Sequence, residues 1–143
     1  MAVQSQPTHT QKTGVRPLSP HLTIYTWAVT MIVSITHRAT GTALGVGSLV
    51  LAWWLFAISN GPDSYNEFYE IMATPLGLLI LFGFGWSLMF HLLNGIRHLA
   101  WDLGYGFEIG TARKTGLGVI VLSLLLALGA AALLWSGNGG YLR

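Results

Sequence analysis

The sequence predicts an all-α integral membrane protein with three transmembrane helices. Two observations carry this. The 143 residues are 52% hydrophobic and only 8% charged, where a soluble domain carries about 25% charged residues. The mean hydropathy is +0.57, and the apolar residues gather into three blocks, each near the roughly 20 residues that cross a bilayer. The chain has no cysteine, which excludes disulfides, covalent c-type haem attachment and an iron–sulfur cluster ligated by this chain. A redox cofactor held here must be non-covalent or liganded by His or Met. The net charge of +2 is small and points to no nucleic acid.

Residues 1–15 are polar, with Lys12 the one charged side chain. They lack the apolar core of a signal peptide and the Arg-rich pattern of a transit peptide, and read as a disordered cytoplasmic tail. The shortness of this tail favours a bacterial chain over an organellar precursor. Residues 16–143 form the membrane domain. Pro17 and Pro20 rule out a regular helix across residues 16–25, a segment expected at the surface. Span one covers about residues 28–58, span two about 75–101, and span three about 116–135. In span three Ser123 is the one polar side chain, so this span is expected to serve packing.

Lys and Arg in short loops orient the spans. The amino-terminal flank carries Lys12, Arg16 and Arg38; the first loop carries none, only Asp63, Glu67 and Glu70; the second loop carries Arg113 and Lys114, with Arg97 close by. The amino terminus and second loop are therefore expected in the cytoplasm and the carboxyl terminus outside. Trp27, Trp101 and Trp135 fall near span ends, as interfacial tryptophans do.

Two polar clusters interrupt the apolar pattern, both in the cytoplasmic half. In span one, Thr30, Ser34, Arg38 and Gly41 share a helix face, and Trp27 precedes Ser34 by seven residues. A hydroxyl and a fixed cation at the membrane boundary suit a carbonyl-bearing headgroup or an anionic propionate. They equally suit an arginine snorkelling to lipid phosphates above a serine bonded to its own helix. In span two, His91, Gly95, His98 and Asp102 form one stripe. His91 lies inside the apolar run, where an ionisable side chain is costly and a functional candidate by default. His91 and His98 are two turns, roughly 10 Å, apart, too far for one zinc ion. Haem fits better, with iron at His91 and propionates near His98 and Arg97. A histidine bonded to a neighbouring helix, or a proton relay, stays open.

Three segments, Arg16-Pro17-Leu18-Ser19-Pro20-His21-Leu22, Ser34-Ile35-Thr36-His37-Arg38-Ala39-Thr40-Gly41 and His91-Leu92-Leu93-Asn94-Gly95-Ile96-Arg97-His98 through Asp102, resemble the family of cytochrome b membrane anchors of succinate dehydrogenase, respiratory complex II, in its alphaproteobacterial and mitochondrial branch. The resemblance runs from about Arg16 to Trp135. It implies a three-helix anchor that bundles with a second, smaller three-helix anchor and seats an iron–sulfur subunit and a flavoprotein subunit on the cytoplasmic side. It implies one haem b shared between the anchors, with His91 as this chain's axial ligand to the iron. It places His37 beside a propionate, where the polar clusters also put Arg38 and His98; it places Ser34, Arg38 and Trp27 at the ubiquinone, and Asp102 on the route of the protons. The chain would then be an enzyme subunit without the flavin site that oxidises succinate. The alternatives are the anchor of a menaquinone-linked fumarate reductase, and an anchor whose histidines are purely structural. A small transporter is disfavoured by the lack of an inverted repeat.

Overall fold

The computed structural model describes residues 26–137. Four helices follow in order: α1 (Val29–Ser59), α2 (Pro62–Met72), α3 (Pro75–Asp102) and α4 (Ile109–Gly137). Three of them, α1, α3 and α4, are long and apolar enough to cross a membrane. The tail at residues 1–15, the proline segment at 16–25 and the residues after 137 lie outside the described residues.

α3 makes the most contact with the other two long helices, α1 and α4, which also touch each other. Val33, Phe90 and Val119, one from each long helix, are buried together, with Val29, Trp86, Leu93 and Ile120 around them. In a bilayer such contacts act by close packing rather than by expulsion of water. Gly47 gives α1 and α3 part of their fit: a Cβ there would run into the Phe84 ring.

Glycines place the helix ends. Asn60 caps α1, and Gly61 follows at φ 101°, a conformation that turns the chain away cheaply when there is no Cβ. At the end of α3 the Gly104 N–H bonds the Trp101 carbonyl at 2.8 Å and the Tyr105 N–H bonds the Ala100 carbonyl at 3.0 Å. With Gly104 at φ 88°, this is a Schellman cap. Thr74 caps the start of α3, its hydroxyl accepting from the Gly77 N–H at 3.1 Å.

Two expectations change. The first loop contains a helix, α2. Pro62 opens it, Asp63 sits in its first turn, and Tyr65, Phe68, Tyr69 and Met72 recur at i, i+3, i+4 and i+7. Phe68 and Met72 bury against Ala57 and Val50 of α1, and Trp53 meets Phe68 edge-on at 4.8 Å. The third span also begins earlier, at Ile109 rather than near 116. The charged pair Arg113-Lys114 gives that stretch a loop-like composition. Its helical phase nevertheless places Ala112, Gly116, Val119 and Ser123 on the buried side and both charges on the exposed side.

Candidate functional site

The polar groups of α1 and α3 meet at the end of the bundle where α1 begins and α3 finishes. Gly41 is what lets them meet. A Cβ at Gly41 would lie 2.9 Å from His91 Cε1, so the ring of His91 occupies the space that the missing side chain leaves. The ring lies parallel to that of His37, with centroids 3.9 Å apart and planes inclined by 15°. His98 approaches the other end of this pair, its centroid 5.3 Å from that of His37, and meets Trp101 edge-on at 5.1 Å. Among the described residues no three His, Asp or Glu side chains converge as a metal-ion cage would require.

The hydrogen bonds assign the His91 tautomer. The Thr40 hydroxyl donates to the His37 carbonyl at 3.0 Å, which leaves its oxygen to accept from His91 Nδ1 at 3.4 Å. The same His37 carbonyl lies 3.2 Å from His91 Nδ1. Two acceptors facing one ring nitrogen require the proton on Nδ1, so the lone pair is on Nε2. An imidazole oriented through Nδ1–H to a backbone carbonyl, with Nε2 free, is the usual arrangement of a histidine metal ligand. This donor set fits an axial ligand to haem iron. Gly95, on the same stripe one turn on, has room for a Cβ with nothing within 4 Å and keeps that face of α3 flat. His37 Nδ1 is buried and without a hydrogen-bond partner, a second polar atom in search of one.

The other expected residues are placed as follows. Ser34 and Arg38 are both exposed on α1, and Arg38 Nε donates to the Ser34 carbonyl at 3.4 Å; they share a face, as their spacing requires. Trp27 precedes the N-cap Ala28, which is extended at φ −71° and ψ 141°. The helical spacing that aligns it with Ser34 therefore does not apply, and its position comes from the extended entry to α1. Asp102 is exposed at the last turn of α3. Arg97 departs from the expected propionate edge. It is one residue off the histidine stripe, about 100° around the helix, and turns inward to α4. There Nε donates to Thr115 Oγ1 at 3.1 Å, one terminal nitrogen to the Ala112 carbonyl at 2.9 Å and the other to Asn94 Oδ1 at 3.3 Å. Span three thus supplies polar partners that its apolar composition does not suggest, because the turn from Ala112 to Thr115 is helical.

Together the fold and site define a class: a multi-pass helical membrane protein with a histidine-centred polar site at one end of its bundle. Comparison narrows it. Residues 12–130 match the family model described as succinate dehydrogenase/fumarate reductase transmembrane subunit, and the chain belongs to that family. It is 43% identical over 114 residues to the succinate dehydrogenase cytochrome b556 subunit of Paracoccus denitrificans, covering 80% of this chain and 88% of the relative. The b556 subunit of Rickettsia felis is 42% identical over 120 residues, 84% of this chain and 90% of the relative. The mitochondrial cytochrome b560 subunit of Homo sapiens is 40% identical over 120 residues, 82% and 71% respectively. The resemblance drawn from the three sequence motifs agrees with these relatives. All three carry succinate dehydrogenase names, and the fumarate reductase alternative is not favoured.

Proposed function

We propose that this chain is the membrane-anchor subunit of a succinate:ubiquinone oxidoreductase, supplying one axial ligand to a haem b and part of the ubiquinone site. The observation that carries the reading is the His91 hydrogen-bond arrangement, which leaves Nε2 as a lone-pair donor between two transmembrane helices. Haem b, when bound, supplies reversible one-electron transfer at an iron whose potential depends on ligands, burial and nearby charge. His91 would hold the iron, Thr40 and the His37 carbonyl holding it in the ligating tautomer, and His37, Arg38 and His98 would serve the propionates. One intramembrane histidine ligand per chain calls for a second anchor to provide the other, and the partners are that anchor, an iron–sulfur subunit and a flavoprotein subunit.

Ubiquinone is the substrate of this end of the complex. Its reduction takes two electrons, delivered through the soluble subunits, and two protons. Ser34 donates a hydrogen bond to a quinone carbonyl, and the Arg38 guanidinium stabilises negative charge as it develops on that oxygen. Trp27 gives an apolar wall. Asp102, exposed at the last turn of α3, passes protons inward from the aqueous side. Succinate is oxidised on the flavoprotein subunit and not on this chain. The chain sits in a bacterial cytoplasmic membrane, and the Lys and Arg distribution supports an amino terminus in the cytoplasm and a carboxyl terminus in the periplasm.

The test uses membranes carrying the whole complex. Ser34→Ala and Arg38→Leu should each lower succinate-driven ubiquinone reduction by about tenfold or more, the scale of one lost charge-assisted bond. Succinate oxidation by a soluble dye that takes electrons from the hydrophilic subunits should stay at the wild-type rate. Asp102→Asn should slow ubiquinone reduction and change its pH profile. Unaltered ubiquinone reduction in all three variants would remove these residues from the quinone site.

A further inference from the structure

Arg97 is the one buried cation among the described residues; Arg38, Arg113 and Lys114 are exposed. It is 8% exposed, and its neighbours hold it rigidly. Three donors of its fork are taken by Thr115 Oγ1, the Ala112 carbonyl and Asn94 Oδ1. Its central carbon lies 3.9 Å over the Trp101 ring, and that ring is itself fixed by its Nε1–H bond to the Gly106 carbonyl at 3.1 Å. Thr115 donates its own proton to the Thr111 carbonyl at 3.0 Å, so its oxygen is free to accept from Arg97. Gly116 lies beside it: a Cβ there would come into ordinary contact, 3.8 Å from the guanidinium and 3.4 Å from Val33. Every one of these partners is neutral, and no carboxylate among the described residues pairs with the guanidinium. The positive charge is oriented and solvated by dipoles but not cancelled.

A guanidinium stays protonated in proteins, so this is a permanent charge. It sits six residues beyond His91 on the same helix, about 9 Å along the axis at 1.5 Å per residue. A buried charge is screened by solvent and salt less than an exposed one, so its field reaches that far.

We propose that Arg97 is a fixed internal cation that raises the reduction potential of the redox group ligated by His91, in addition to tying α3 to α4. The inference rests on the haem reading above. Its sign follows from charge alone: reduction adds one negative charge to the group, and a nearby uncompensated cation favours the state that has it.

Asn94 provides a variant that alters the charge without dismantling the clamp. Asn94 is fully buried, its Oδ1 accepts from Arg97, and its Nδ2 has no hydrogen-bond partner. Asn94→Asp therefore keeps the acceptor, loses no made bond and places a carboxylate against the guanidinium. The experiment is a spectroelectrochemical titration of the b-type absorbance in the whole purified complex, for wild type, Arg97→Gln, Arg97→Lys and Asn94→Asp. The expected result is a midpoint shifted to more negative potential in Arg97→Gln and Asn94→Asp, and one near wild type in Arg97→Lys, even where Arg97→Lys lowers thermal stability through the lost fork. A wild-type midpoint in Asn94→Asp, with its haem content intact, overturns the proposal, and it does so whether or not Arg97→Gln assembles. Absence of a b-type band in the wild-type complex instead overturns the haem reading itself and this proposal with it.

Discussion

At the scale of single residues, the site depends on Gly41 and Thr40 as much as on His91. Gly41→Ala places a Cβ 2.9 Å from His91 Cε1, against a ring that is already stacked on His37. The ring has no flexible end to move aside. We expect an overpacking cost of about 1–3 kcal/mol and a weakened b-type absorbance, read from pyridine haemochrome content and a thermal melt of the complex. Thr40→Val is nearly isosteric and should be milder, about 1 kcal/mol for the lost hydroxyl bonds, with haem retained but its spectrum altered. Equal haem content and melting behaviour in Gly41→Ala and wild type would contradict this packing. The sequence alone exposes His91, because an imidazole inside an apolar run has a stated physical cost. It does not expose the His37 carbonyl as the orienting group, since spacing relates residues of one helix and says nothing of the register between two. Arg97 adjoins His98 in the chain, but a single residue step turns a helical side chain by about 100°, which sends it to α4.

At the scale of elements, the corner between α2 and α3 is held by backbone proximity. A Cβ on Gly77 would lie 2.6 Å from the Ile71 carbonyl oxygen and 2.6 Å from both the Cα and the carbonyl oxygen of Met72. Glycine to alanine inside a helix ordinarily stabilises by up to about 1 kcal/mol. Gly77→Ala should reverse that sign and destabilise by about 1–3 kcal/mol, seen as a lower melting temperature of the detergent-solubilised complex; an equal or higher one would show that the corner opens freely. The three long helices are legible from length and hydropathy because the bilayer sets both. α2 is not, because it is short and half polar, and its acidic residues give the stretch the composition of a loop. The signal that finds it is the i, i+3, i+4, i+7 run of Tyr65, Phe68, Tyr69 and Met72 behind Pro62. The start of α4 is hidden in the same way by Arg113 and Lys114, which are exposed while Ala112 and Gly116 are buried.

At the scale of the molecule, most large apolar side chains of the three long helices are exposed, including Leu49, Leu79, Leu99, Leu125 and Leu133. Such a surface is stable only in lipid or against other apolar helices, in keeping with a chain whose three long helices cross a membrane. The polar groups of α1 and α3 lie at one end of the bundle, α1 entering and α3 leaving there, the end that the Lys and Arg distribution predicts to be cytoplasmic. All of this turns on His91 as a ligand. The most direct measurement is the reduced-minus-oxidised spectrum of membranes containing the whole complex, wild type against His91→Ala, with assembly of the other subunits verified. The account predicts loss of the b-type bands in the variant while the partner anchor is still present. Bands of wild-type intensity and position in His91→Ala would contradict it and return His91 to a structural role.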